Sequence, residues 1–126
     1  MDTLRKRMRR EEGFSLIELV IALVIIGVIM AIAIPVFLGV KDRAHRSTAQ
    51  ANVRSAVPAI EIYALDQNGS YVGMTQMTLR LIDAGVAVSV PTATATSYCA
   101  QAASGGFTFS KNGPAAPIVR SACPTP

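Results

Sequence analysis

The chain has 126 residues, room for one small domain, and 51% of them are hydrophobic against 16% charged. That balance is too apolar for an ordinary soluble domain of this length and excludes a disordered chain. The apolar residues are concentrated in one block near the N-terminus, which excludes a compact enzyme with a deep cleft, and most of the charge behind the formal net +4 flanks that block instead of forming a folded nucleic-acid-binding face.

In chain order, residues 1–13 (MDTLRKRMRREEG) are polar and carry five basic and three acidic side chains. The stretch that follows, FSLIELVIALVIIGVIMAIAIPVF, holds a single charge, Glu18. Residues 19–40 form a run of 22 without any charged side chain. As a helix that run spans about 33 Å, enough for a bilayer core of about 30 Å. Arg5, Lys6, Arg7, Arg9 and Arg10 precede it, and Lys41, Arg43, Arg46 and Arg54 follow it. Five cations against four do not set an orientation.

The pattern predicts one long helix from residue 14 to about 66. Its first half is apolar on all sides, as lipid or a bundle core requires. Its second half is amphipathic, with Ala49, Val53, Val57, Ile60 and Ala64 along one face. Pro35 and Pro58 are expected to bend or locally break the helix, and Gly27 to weaken it. The segment 66–71 (DQNGSY) ends it, because Asn-Gly is a strong helix-stop signal. A short helix is predicted over 75–84, a strand through Val86, Val88 and Val90, and a low-complexity loop over 91–97. Three short strands follow at 98–102, 107–111 and 117–121, with Ser104-Gly105-Gly106 and Asn112-Gly113 as turns. Phe107 and Phe109 are expected to share a buried face. The fold class is therefore α+β: a long N-terminal helix, transmembrane in its first half and amphipathic in its second, packed on a small C-terminal antiparallel β-sheet.

Chemistry-bearing residues are sparse. Cys99 and Cys123 have no CxxC spacing and no nearby histidine, so a zinc site is set aside, leaving two reduced thiols or a disulfide. A bridge closing roughly 25 residues contributes about 3 kcal/mol, which matters because the part beyond the apolar run is small enough to need a staple. The lone histidine, His45, lies in a charged stretch and is expected to be solvated. No catalytic set and no phosphate-cradling glycine loop is present. Residues 66–69 are read as a turn and not as a calcium loop, since Met77 stands where the terminal Glu is needed.

The informative motif is Gly13-Phe14-Ser15-Leu16-Ile17-Glu18. There the chain resembles the prepilin cleavage motif of type IV pilins and type II secretion pseudopilins. The likeness takes in the short basic leader, the glycine before the cut, the phenylalanine after it and the glutamate placed fifth in the mature chain. Gly27 and Pro35 match the pair that bounds a stretch of helix that melts on filament assembly. Residues 66–71 look like the D/N-x-x-G-x-Y signature that ends the long helix. Cys99 and Cys123 look like the pair that brackets the variable region in many pilins. The resemblance is strong over about residues 1–71 and architectural beyond.

The resemblance implies a precursor held with its N-terminus in the cytoplasm and cut after Gly13 by a membrane prepilin peptidase. It implies N-methylation of Phe14 and polymerisation of copies of the chain, through an inner-membrane assembly platform, into a helical surface filament. The segments would be a removed leader (1–13), a transmembrane and filament-core helix (14–40) and a globular head (41–126). No cofactor, metal or enzymatic activity is implied. Ser15 is given no role.

The physics of Glu18 stands beside this. A carboxylate inside a membrane span is costly and by default marks function. Cleavage after Gly13 creates a positive amine on Phe14. In a stack of staggered helices that amine can meet the Glu18 carboxylate of a neighbour, satisfying two buried charges and setting register. The plain alternative is that Glu18, about 6 Å into the helix, reaches water at the membrane edge.

Three other readings compete. One is a minor pilin or a pseudopilin of a secretion or DNA-uptake system, for which Lys111 and Arg120 are a thin nucleic-acid-binding basis. The others are a secreted domain cut after Ala31-Ile32-Ala33 and a plain single-span membrane protein. The chain has no Asp or Glu after Asp83, and hard cations need carboxylate oxygens. That favours a pilin stapled by cysteines over a calcium-binding pseudopilin. The threonine-rich segment 91–97 is read as a flexible loop, with glycans as the alternative.

Overall fold

The computed structural model describes residues 13–125, so the leader up to residue 12 lies outside it. Helix α1 runs over Leu16–Asp66, 51 residues. It begins two residues later than the apolar pattern suggests because Ser15 caps it. It also stays helical through Pro35 and Pro58, contrary to the expected breaks. Each proline withdraws only one backbone donor, and the turns on either side hold the helix. The end falls where the Asn-Gly signal places it. Asn68 takes φ 56 and Gly69 φ 86, and the Gly69 N–H donates to the Ala64 carbonyl at 2.6 Å, a Schellman-type close.

Two units divide the chain between Gly39 and Val40. In the first, every described residue is exposed, including the apolar side chains of α1. That stretch makes α1 the one described helix long and apolar enough to cross a membrane.

In the second unit, α1 buries Ala49, Val53, Ala56, Ala59, Ile60 and Ala64. Val57, expected on this face, is half-buried, and Ala56 and Ala59 take its place. Helix α2 covers Gln76–Ile82, shorter than 75–84. Thr75 caps it reciprocally with Thr78, and Asp83 closes it. Four strands follow in the order β1 (Ser89–Ala93), β2 (Tyr98–Ser104), β3 (Phe107–Asn112) and β4 (Ile118–Val119), all antiparallel. This is the α+β arrangement the sequence predicts, with strand boundaries moved. Val86 and Val88 are buried but unpaired, and β1 starts at Ser89 and continues through Pro91 into the expected loop. β4 keeps only two of the five residues assigned to it.

The two faces of the sheet differ. Tyr98, Ala100 and Ala102 of β2 join Val53, Ala56, Ala59 and Ile60 of α1 in the core, with Phe109 packed against it. The opposite face carries Cys99 and Ser110, both buried. Thus β3 buries Ser110 most fully, and its phenylalanines are half-buried on the helix side. The core is rich in alanine, and its largest fully buried side chains are Ile60, Leu79, Val53, Val86 and Val88.

Candidate functional site

At the start of α1 the chain makes a reciprocal capping box. The Ser15 N–H donates to Glu18 Oε2 at 2.9 Å, and the Glu18 N–H donates to Ser15 Oγ at 3.3 Å. The Ser-x-x-Glu spacing was the signal in the sequence, and it gives Ser15 a role the motif alone does not. The helix N-terminus carries partial positive charge, which favours a carboxylate there. Glu18 therefore enters an apolar setting with one hydrogen bond already made within its own chain. Gly13 and Phe14 precede the helix, with nothing within 4 Å of a side chain built at Gly13 and Phe14 88% exposed. Both residues flanking the bond between Gly13 and Phe14 are exposed. Gly27 and Pro35 lie within α1, both exposed, and the structure brings neither against another element.

In the second unit the structure joins Cys99 to Cys123 and leaves no free cysteine among the described residues. The Cys123 N–H donates to Gln101 Oε1 at 2.7 Å, and Ser121 Oγ meets Ser110 Oγ at 3.4 Å. These contacts hold the C-terminal segment across the sheet face away from α1. Lys111 donates from Nζ to the carbonyls of Pro114 at 3.0 Å and Ala116 at 2.6 Å. These bonds hold the β3–β4 loop. No group of three or more metal-ligating side chains occurs among the described residues.

His45 is not solvated as expected. It is half-buried, its Nδ1 lies 2.9 Å from Ser104 Oγ, and its ring sits against Gly105. Gly105 and Gly106 have φ 55 and 84, a two-residue turn of the primed type. A side chain at Gly105 would strike the His45 ring as well as strain the backbone. A burial contact of this kind, 59 residues apart in the chain, leaves no local signal. Tyr98 stacks at a tilt on Tyr71, centroids 4.8 Å apart. Burial first, then the nearby Tyr71 and Glu61, push the Tyr98 hydroxyl up to about 12.

A capped apolar helix that begins at a glycine–phenylalanine junction, together with a small disulfide-stapled α+β unit, fits the class of pilin-like subunits with an N-terminal membrane anchor. The comparisons agree with that class. Residues 8–34 match the family model described as the prokaryotic N-terminal methylation motif. The chain is 35% identical to the type IV wide pilus major component PilA4 of Thermus thermophilus, over 80% of this chain and 79% of that protein. It is 36% identical to the type II secretion system core protein G of Pectobacterium carotovorum, over 47% of this chain and 38% of that one. For the Vibrio cholerae core protein G the figures are 32%, 50% and 43%. No solved structure matches. The chain belongs to the type IV pilin family.

Proposed function

We propose that this chain is the precursor of a type IV pilin. It sits in the membrane with its N-terminus in the cytoplasm, is cleaved by a prepilin peptidase after Gly13, is methylated on the Phe14 amine and is polymerised into a helical surface filament. In this reading residues 1–13 are the removed leader, 14–40 the membrane-spanning and later filament-core helix, and 41–126 the head. The inner-membrane assembly platform extracts it from the bilayer, and neighbouring copies of the chain are its main partners. The subunit is structural and carries no catalytic step.

One observation carries the proposal. Glu18 is the only charge in an apolar helix face exposed from end to end, and it lies one short turn from the junction where cleavage exposes an amine. A buried carboxylate and a buried ammonium are each costly alone and tolerable as a hydrogen-bonded pair. Staggered copies bring the two together and so take up a defined axial register. Between Gly27 and Pro35 the same packing would melt the helix, lengthening it from about 1.5 Å per residue toward about 3.3 Å.

The test has two parts. The N-terminal mass of the mature protein should correspond to methylated Phe14; an intact Met1 or a start at Ile34 sinks the reading. Glu18→Ala should leave the chain in the membrane fraction but abolish filaments, and normal filaments would remove the pairing role. The second reading is a type II secretion pseudopilin, favoured by the core protein G relatives over about half the chain. The chain has no Asp or Glu after Asp83 for a hard cation in the C-terminal part, and a relative that matches over 80% of this chain is a pilus component. Both support the pilin.

A further inference from the structure

Phe107 opens β3 beside the Gly105-Gly106 turn, and two guanidinium groups lie over its ring. Arg46 Cζ is 4.6 Å and Arg120 Cζ 4.9 Å from the ring centroid. Arg46 comes from α1, and Arg120 directly follows β4. One cation would cover the ring; a second brings further positive charge to the same ring, which a nearby anion would offset. The fold provides little negative charge here. The chain has no Asp or Glu after Asp83, and the one acid on this part of α1 is Asp42, set between Lys41 and Arg43. Arg43 lies one turn before Arg46 on the same helix face. Lys41, Asp42, Arg43, Arg46 and Arg120 are all exposed.

Position along the chain indicates the anion. Arg46 follows the last residue of the uncharged run, Val40, by about 9 Å of helix. The polar layer of a bilayer is about 5–7 Å deep on each side of the hydrocarbon, so this stretch of α1 passes through or just above the lipid phosphates. Planar guanidinium forks match phosphate oxygens bidentately. Cations beyond a membrane span also run against the usual bias toward the cytoplasmic side. Here two of them are fixed by the fold on one aromatic ring.

We propose that Arg46 and Arg120, seated on Phe107 and flanked by Arg43 and Lys41, bind the phosphate of anionic phospholipids. The head is thereby docked on the leaflet surface while the subunit waits in the bilayer for assembly. The inference rests on the membrane-anchor reading above.

The test uses the full chain reconstituted in vesicles of phosphatidylcholine alone or in an equimolar mixture with phosphatidylglycerol. Flotation reads insertion, and native mass spectrometry of the extracted protein reads which lipids it retains. The wild type should float with both vesicles and retain phosphatidylglycerol in preference. Arg46→Gln and Arg120→Gln should each lower that preference about fivefold, the loss of one cation at an anionic surface. Phe107→Leu, which keeps both charges but removes their shelf, should lower it as well, and Asp42→Asn should raise it. Unchanged thermal unfolding shows that the variants are folded. Failure to float with either vesicle removes the anchor reading and this proposal with it. Flotation with equal retention of both lipids, or an undiminished preference in the double arginine variant, overturns the proposal alone. Binding of inorganic phosphate or of a short DNA duplex to the same arginines without any lipid preference also overturns it.

Discussion

The Glu18 side chain is held before any neighbour reaches it. Its carboxylate takes the Ser15 N–H, and Ser15 Oγ takes the Glu18 N–H in return. The proposed cleavage after Gly13 would remove neither partner, so a mature chain would keep the cap and gain an amine on Phe14, one residue before it. In the proposed filament a neighbouring subunit would meet a carboxylate already oriented toward the helix start, which would lower the entropy lost on pairing. Ser15 thus positions the charge without touching the partner. Ser15→Ala should cost about 1 kcal/mol at the helix start, read as roughly fivefold faster hydrogen exchange at the Glu18 amide of the full chain in micelles. Ser15→Thr should restore protection. Equal exchange in wild type and Ser15→Ala would show that the cap does not order this end.

At the scale of elements, the sequence is most legible where one period or one motif dominates. The apolar run and the alanine-valine face of α1 declare a helix, and Asn68-Gly69 declares its end. Strand β1 was harder to read. Pro91 argues against a strand, yet β1 is an edge of the sheet, where proline is tolerated, and the ladder shifts register between Ser89 and Thr92 to accommodate it. Val86 and Val88 alternate like a strand because both point into the core, while their backbone is unpaired. The seating of His45 on the hairpin turn and the two arginines on Phe107 are tertiary contacts, decided by where α1 meets the sheet. The Tyr71–Tyr98 pair belongs to this scale too, because it ties the segment after α1 to β2. Tyr98 keeps its proton to about pH 12 in the fold but only to about 10.0 when unfolded. The unfolded chain therefore releases a proton first, and linkage lowers stability as pH rises from about 10 to 12. The tyrosine contribution is fully present below that window. Denaturant midpoints of wild type and Tyr98→Phe, compared across it, should show a steeper fall in the wild type; parallel curves would show that burial does not hold the proton.

For the molecule as a whole, the stability of the head depends on how little core it has. Six of its buried core side chains are alanines, on α1 and β2, and each buries too little apolar area to contribute much. The described residues beyond β4 form no further strand, yet they cover the sheet face opposite α1 and bury Cys99 and Ser110. What holds them is the Cys99–Cys123 bond, the Gln101 side chain on the Cys123 N–H and the Ser110–Ser121 contact. The two hydrogen bonds are worth about 1 kcal/mol each. The covalent bond closes a loop with a sequence separation of 24, which corresponds to about 3 kcal/mol of lost freedom in the unfolded chain. In a domain with a total of about 5–15 kcal/mol, that is a large share. Replacing both cysteines by alanine should therefore lower the unfolding free energy of the head by about 3 kcal/mol, measured by denaturation of the full chain in micelles. The loss should be local. Amides of β2 and β3 should lose exchange protection, while the apolar part of α1, whose hydrogen bonds are internal to the helix and shielded by detergent, should keep it. A uniform loss along α1 would mean that the helix depends on the head for its order; no loss in the sheet would mean that the C-terminal segment is held by its hydrogen bonds alone.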